Sequence, residues 1–197
     1  MPLAPAACGV FRLLRVRRSA TRDGVLIRRE TPDDIAATRA VTAAAFTRPG
    51  QPEHTPAEAG LVDELRADPG WLPALSLVAL GPGDAIIGHV LATRGHIDSA
   101  PALGIGPVSV HPDHQLRGVG SALMHAVLAA ADALGEHVAV LLGDPAYYRR
   151  FGFRLSSEYD ILPPIAEWQP HFQVRTLTAY VRTLRGTFHY AKPFDSV

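Results

Sequence analysis

The stretch His111-Pro112-Asp113-His114-Gln115-Leu116-Arg117-Gly118-Val119-Gly120-Ser121-Ala122-Leu123 decides the fold. Before it, residues 103–110 form a β-type run. From Gly118 to residue 134 runs the longest helical pattern of the chain, with Val119, Ala122, Leu123, Ala126, Val127, Ala130 and Leu134 on one face and Gly135 as its C-cap. A strand that feeds a glycine-bearing turn into a helix start suits an anion. The first N–H groups of a helix have no partner inside it, and the helix dipole adds roughly half a positive charge there. Glycines at 118 and 120 let a phosphate reach the backbone, Ser121 adds a hydroxyl, and Arg117 can neutralise charge at the rim. The same spacing also fits a plain tight turn, and on the motif alone both readings stand. A dinucleotide fingerprint is excluded because position 123 is leucine where a third glycine belongs, and a P-loop because no Gly-Lys-Ser/Thr is present.

Outward from this segment the chain reads as one domain. Upstream, a short strand at residues 25–27 precedes Thr31-Pro32-Asp33-Asp34, a threonine N-cap with proline at the first helical position and acids in the first turn. The helix that follows places Ile35, Thr38, Val41, Ala45 and Phe46 on one face. A second start at Thr55-Pro56-Ala57-Glu58 has the spacing of a capping box, with Leu61, Val62 and Leu65 as its apolar stripe. Strands at 75–80 and 85–93 flank the turn Gly81-Pro82-Gly83-Asp84 and predict an antiparallel hairpin. Downstream, 138–142 is wholly apolar, as a strand covered on both faces would be. A short helix at 145–151 and β-like stretches near Phe153, 174–178 and 188–190 follow. The order β-α-α-β-β-β-α-β-α-β predicts a mixed α/β sheet, mostly antiparallel, with a late βαβ crossover.

Composition narrows the function classes. The chain has 197 residues, 47% of them hydrophobic, and zero formal net charge, so neither nucleic acid nor an anionic membrane is an expected partner. One cysteine, Cys8, cannot form an internal disulfide, which fits a cytoplasmic location. No apolar run has the length of a membrane span. Residues 1–22 hold five arginines and no acid, and are read as a flexible extension outside a domain spanning 23–197. His111-Pro112-Asp113-His114 is a turn without a second ligand cluster, so no metal is expected.

The segment 103–123 resembles the signature of the GNAT acetyltransferases, in which a strand ends in Val-x-Pro and Gln/Arg-x-x-Gly-x-Gly/Ala opens the pyrophosphate-binding helix. Leu141-Leu142-Gly143-Asp144-Pro145-Ala146-Tyr147-Tyr148-Arg149-Arg150-Phe151-Gly152-Phe153 resembles that family's second signature, a tyrosine four residues before Gly-Phe. The likeness covers about residues 24–160 and is strongest to the YhbS-like branch. It implies a GNAT-like sheet with helices on both faces and a splayed cofactor cleft. It also implies transfer of an acetyl group from acetyl-CoA to a primary amine of a small molecule or peptide, and leaves room for a homodimer.

Residue by residue, the resemblance sets the backbone of Val108, Ser109 and Val110 against the pantetheine arm, with an N–H there holding the developing oxyanion. Gln115, Arg117, Gly118, Val119, Gly120 and Ser121 fall at the pyrophosphate, and Gly143, Asp144 and Tyr147 beside the cofactor. Tyr148 takes the general-acid position, since a phenol near pKa 10 stays protonated at neutral pH yet can serve a thiolate whose parent pKa is about 8.5. Family members often carry a glutamate on the strand before the pyrophosphate loop, and residues 103–110 have no carboxylate. The base is therefore a water relay, or one of His89, His96 and Asp98. Glu58, Asp63 and Glu64 read as a solvated helix face or as acids walling an acceptor pocket together with loop 47–55. An active enzyme and a non-catalytic acyl-CoA-binding module both fit.

Overall fold

The computed structural model describes residues 25–47 and 55–196; the extension at 1–22 and most of loop 47–55 lie outside them. Nine strands and four α-helices follow in chain order: β1 Leu26–Arg29, α1 Ile35–Phe46, α2 Ala57–Ala67, β2 Ser76–Leu80, β3 Ile86–Ile97, β4 Ala100–Val110, α3 Val119–Ala133, β5 Val138–Leu142, α4 Pro145–Tyr148, β6 Arg154–Leu155, β7 Ile161–Leu162, β8 Phe172–Thr176 and β9 Gly186–His189. The sheet runs β1-β2-β3-β4-β5-β8-β6, and β9 pairs with both β3 and β7. Within that main path every pair is antiparallel except β4–β5. The expected mixed, mostly antiparallel sheet is the observed one.

Helices cover both faces. A Cβ at Gly88 of β3 would meet Val119 and Leu123 of α3 at 3.0–3.1 Å, so that face packs on α3. On the other face Leu91 packs with Leu61, Val62 and Leu65 of α2, and α1 lies over β3 and β4. Beneath α1 and α2 runs a polar network. Ser76 Oγ and Arg66 Nη2 donate to Glu30 at 2.5 and 2.6 Å, and His89 Nε2 lies 2.9 Å from Ser76 Oγ. Burial opposes ionisation of Glu30, but hydrogen bonds from His89, Ser76 and Arg66 outweigh it and hold the carboxyl near pKa 2.

One opening in the sheet matters for function. β4 and β5 pair only at Leu103↔Ala139 and Gly104↔Val140. Just beyond, β4 carries an irregular register against β3 and the cis Gly106–Pro107 bond, and Pro107 has no N–H to offer β5. The strands part there.

Several boundaries differ from the sequence reading. Thr31 and Asp34 do form a capping box, but they cap a 3-10 turn, Pro32–Asp34, that precedes α1 and shifts the phase of its apolar face. Thr38, Val41 and Thr42 are buried, and Ile35 is exposed. Pro56, not Thr55, caps α2, without a side-chain hydrogen bond. The buried stripe of α3 is Val119, Leu123, Met124, Val127, Leu128 and Ala131, whereas Leu134 is exposed. β3 runs four residues further than read and turns at Asp98 into β4, which starts at Ala100.

Candidate active site

Residues 115–118 make the turn into α3, and Leu116 and Gly118 both adopt positive φ, 59° and 84°. The first helical bond, from Ala122 N–H to the Gly118 carbonyl, leaves the N–H groups of Val119, Gly120 and Ser121 without an acceptor in the helix. They border a cavity of about 560 Å³. Its walls are Val108 and Val110 of β4, Gln115, Leu116, Gly118, Gly120 and Ser121 of the turn and helix start, Tyr147 and Tyr148 of α4, Arg150, and Ala45 and Phe46 at the end of α1. A Cβ at Gly120 would lie 3.1 Å from Tyr147 Oη, so the phenol oxygen sits close over bare backbone. Among the described lining residues Arg150 is the only charged side chain. Its Nε donates to the Tyr147 carbonyl at 3.0 Å, and its guanidinium lies 4.7 Å from the Tyr147 ring centroid. The floor therefore offers unpaired N–H donors and one cation, and suits an anionic ligand.

The strand edge beside it is also unpaired. His111 N–H donates to the Ile87 carbonyl on β3. Alternation in an antiparallel ladder then turns Ser109 toward β3 as well, and the backbone of Val108 and Val110 away from it, into the gap left by β5. There Gln115 Nε2 donates to the Val110 carbonyl at 3.0 Å. The N–H groups of Val108 and Val110 are thus the donors that face the opening.

Tyr148 stands between the two walls. Asp144 Oδ1 accepts from Ala146 N–H and starts α4, whose single turn passes into the 3-10 turn Arg149–Phe151. The Tyr148 ring packs against Tyr147, Phe151 and Phe153 with centroids 4.9, 6.4 and 5.9 Å away. It lies against Gly143, where an added Cβ would come within 2.9 Å of Cδ2. Burial, with a smaller contribution from Tyr147, pushes the phenol up to about 12. Its hydroxyl makes no hydrogen bond among the described residues.

Of the residues singled out in the sequence, Val108, Val110, Gln115, Gly118, Gly120, Ser121, Tyr147 and Tyr148 line one cavity. Ser109 does not: its hydroxyl is buried on the other face, donating to Thr42 Oγ1 at 3.2 Å. Arg117 is exposed outside the cavity lining, and Val119 is buried in the core, where its side chain cannot reach a ligand. Gly143 and Asp144 position Tyr148 from below. Among the proposed bases, Asp98 sits at the far hairpin, where Oδ1 accepts from Thr187 N–H, and His96 pairs with His189 nearby. His89 lies level with Ser109 but is wholly buried, its ring engaged with Ser76. His111 and His114 flank a 3-10 turn, and no group of metal-binding residues occurs among the described residues. Glu58, Asp63 and Glu64 do not line the cavity, and Asp63 pairs with Arg66 and Arg39. Sequence reasoning missed Ala45, Phe46, Leu116 and Arg150. Only Leu116 left a signal, an apolar residue inside a polar turn.

A family model described as an acetyltransferase (GNAT) domain matches residues 26–156. The uncharacterized N-acetyltransferase YjhQ of Escherichia coli is 35% identical over 147 residues, covering 71% of this chain and 81% of that protein. Among solved structures, the GNAT family N-acetyltransferase YhbS from Escherichia coli in complex with CoA superposes with a TM-score of 0.80 at 27% identity, covering 91% of this chain and 96% of that one. A GNAT family acetyltransferase from Brucella melitensis in complex with acetyl-CoA gives a TM-score of 0.71 at 35% identity, covering 88% of this chain and all of that one.

Proposed function

Because the chain belongs to the GNAT acetyltransferase family, we propose that it carries the acetyl group of acetyl-CoA to a primary amine, with Tyr148 assisting departure of the thiolate. The observation that carries this reading is the meeting of Tyr148, the free edge of β4 and the start of α3 around one cavity. The pyrophosphate would rest on the N–H groups of Val119, Gly120 and Ser121, beside Arg150. The pantetheine arm would pair with Val108 and Val110 as an added strand. One of their N–H groups would polarise the thioester carbonyl.

The amine nitrogen attacks the carbonyl carbon, the C–S bond breaks, sulfur takes a proton, and the nitrogen loses one. Tyr148 suits the sulfur because its raised pKa keeps it a neutral donor. Full transfer to a thiolate of ordinary pKa, about 8.5, would be uphill, so the phenol acts by hydrogen bonding to sulfur as the bond breaks, and the released thiolate takes its proton from water. Neither a carboxylate nor a histidine is among the described residues lining the cavity. The reading therefore takes the amine in its free form, with water as the proton's destination. Activity should rise with pH toward the amine's own pKa.

That same lack of a base favours a second reading, a module that binds acyl-CoA without turning it over. Thiol release from acetyl-CoA with a panel of amines separates the two. For an enzyme, Tyr148→Phe should lower kcat about a hundred-fold with the KM for acetyl-CoA nearly unchanged. Tight acetyl-CoA binding without thiol release from any amine supports the module. Wild-type kcat in Tyr148→Phe, with chemistry rate-limiting, removes the tyrosine's role.

A further inference from the structure

A second cavity, of about 510 Å³, is built by the last third of the chain. Its walls are aromatic and apolar: Ile165 and Trp168 from the segment after β7, and Tyr190 and Phe194 from the segment after β9. The rings of Trp168 and Tyr190 meet edge to face at 6.4 Å, and those of Tyr190 and Phe194 at 4.8 Å. Such rings usually fill a core, but these leave open space beside them.

Its position in the sheet is informative. Leu103 and Ile105 of β4 pack into the core that contains α3, so Gly104 between them faces the opposite side. There Tyr190 lies on Gly104, where an added Cβ would come within 2.8 Å of Cδ1, and Phe194 lies 3.9 Å from the corresponding point at Gly106. Those two glycines sit where β4 and β5 part. From Gly106 to Val108, whose backbone faces the opening, is about 7 Å along a strand. A short chain bridges that length.

We propose that this cavity receives the acceptor, and that the acceptor is a primary amine carried on an aromatic or bulky apolar body, of the arylalkylamine class. The inference rests on the acetyltransferase reading and adds the substrate class to it. Three rings and Ile165 offer stacking and apolar contact to a ring-sized body. The Tyr190 hydroxyl makes no hydrogen bond among the described residues, and burial holds the phenol well above its ordinary pKa, so it offers a neutral partner to a ligand N–H or oxygen. The charged side chains among its lining residues are Lys192 and Asp195, one of each sign, with His189 beside them. That balance argues against a polycationic acceptor, which would call for several carboxylates. The exposed side chains of Leu162 and Ile165 extend the apolar character along this segment.

The test compares phenethylamine with propylamine. For the wild type, kcat/KM for phenethylamine should exceed that for propylamine at least ten-fold. Trp168→Ala should pull this ratio toward one while acetyl-CoA affinity stays near wild type, and Tyr190→Ala, which removes a second ring from the wall, should do the same. Calorimetry of phenethylamine on the protein–CoA complex gives a readout that needs no turnover. Binding lost in Trp168→Ala supports the pocket even where no acetylation occurs, and only the enzymatic reading then fails. Acetylation with no preference for the aromatic amine, or a preference that survives both variants, overturns the pocket and leaves the enzymatic reading intact. Absence of any phenethylamine binding to the wild-type complex also overturns the pocket.

Discussion

Gly143→Ala is the most informative single substitution, because it displaces Tyr148 without altering its chemistry. Gly143 does not have a positive φ, so alanine costs its backbone nothing special. The new methyl group would nevertheless fall against the Tyr148 ring, within 2.9 Å of Cδ2 and closer still to Cε2. Carbon atoms settle at roughly 3.5–4.0 Å, so the ring must retreat by on the order of 1 Å. It has little freedom to do so locally, since Tyr147, Phe151 and Phe153 surround it. The hydroxyl therefore moves relative to β4. A displacement of about that size can cost on the order of a hundred-fold in rate. We expect kcat to fall ten- to a hundred-fold, read by thiol release, with acetyl-CoA affinity held within a few-fold of wild type. The double variant Gly143→Ala/Tyr148→Phe should be no slower than the worse single variant, because both act through one hydroxyl. Wild-type kcat in folded Gly143→Ala, or multiplying losses in the double variant, would refute this reasoning.

Gly120→Val should abolish stabilisation by acetyl-CoA, since its side chain would crowd Tyr147 Oη and occupy the cavity beside the helix start. At a hundred-fold excess over Kd the wild type should gain about 2.7 kcal/mol, roughly 5 to 10 °C in Tm, and an equal shift in the folded variant would contradict the assignment. Glu30→Gln should cost on the order of 3 kcal/mol at pH 7, given a folded pKa near 2 against an ordinary 4.5 and a side chain only 5% exposed. The folded value is the lower one, so the contribution is complete above about pH 4.5 and fades as pH falls toward 2. Denaturant melts across that window should show variant and wild type converging, and a constant gap would count against the network.

How far the sequence could be read depended on how local the cause was. The start of α3 was legible because helix-end donors and the glycines at 118 and 120 lie within a few residues of one another. The hairpin at Gly81–Asp84 was legible for the same reason. The α3 stripe was read out of phase because Ala122, Ala126 and Ala130 look apolar in a pattern, while packing selects the larger Met124 and Leu128. Ala45 and Phe46 count in the sequence only as part of an apolar helix face, because nothing near them indicates that α1 ends at the cavity beside β4. Ser109 falls in the right run of residues, but pairing with β3 fixes which way its backbone points. Trp168, Tyr190 and Phe194 come together only because β9 returns to pair with β3, a contact between residues some ninety positions apart that no local pattern records.

The meagre pairing of β4 with β5 also has a mechanical meaning. Strands β1–β4 form one plate and β5, β8 and β6 another, joined along their shared edge by two residue pairs. What else spans that seam includes the Arg94–Glu136 ion pair and side-chain packing, in which Ala139, Leu141, Phe151 and Phe153 share a core with Leu103, Ile105 and the buried face of α3. Packing has no preferred direction, whereas a hydrogen-bond ladder does. A tilt of one plate on the other would therefore strain only those two rungs, a bellows at the place where a long, thin molecule has to be threaded in and let out.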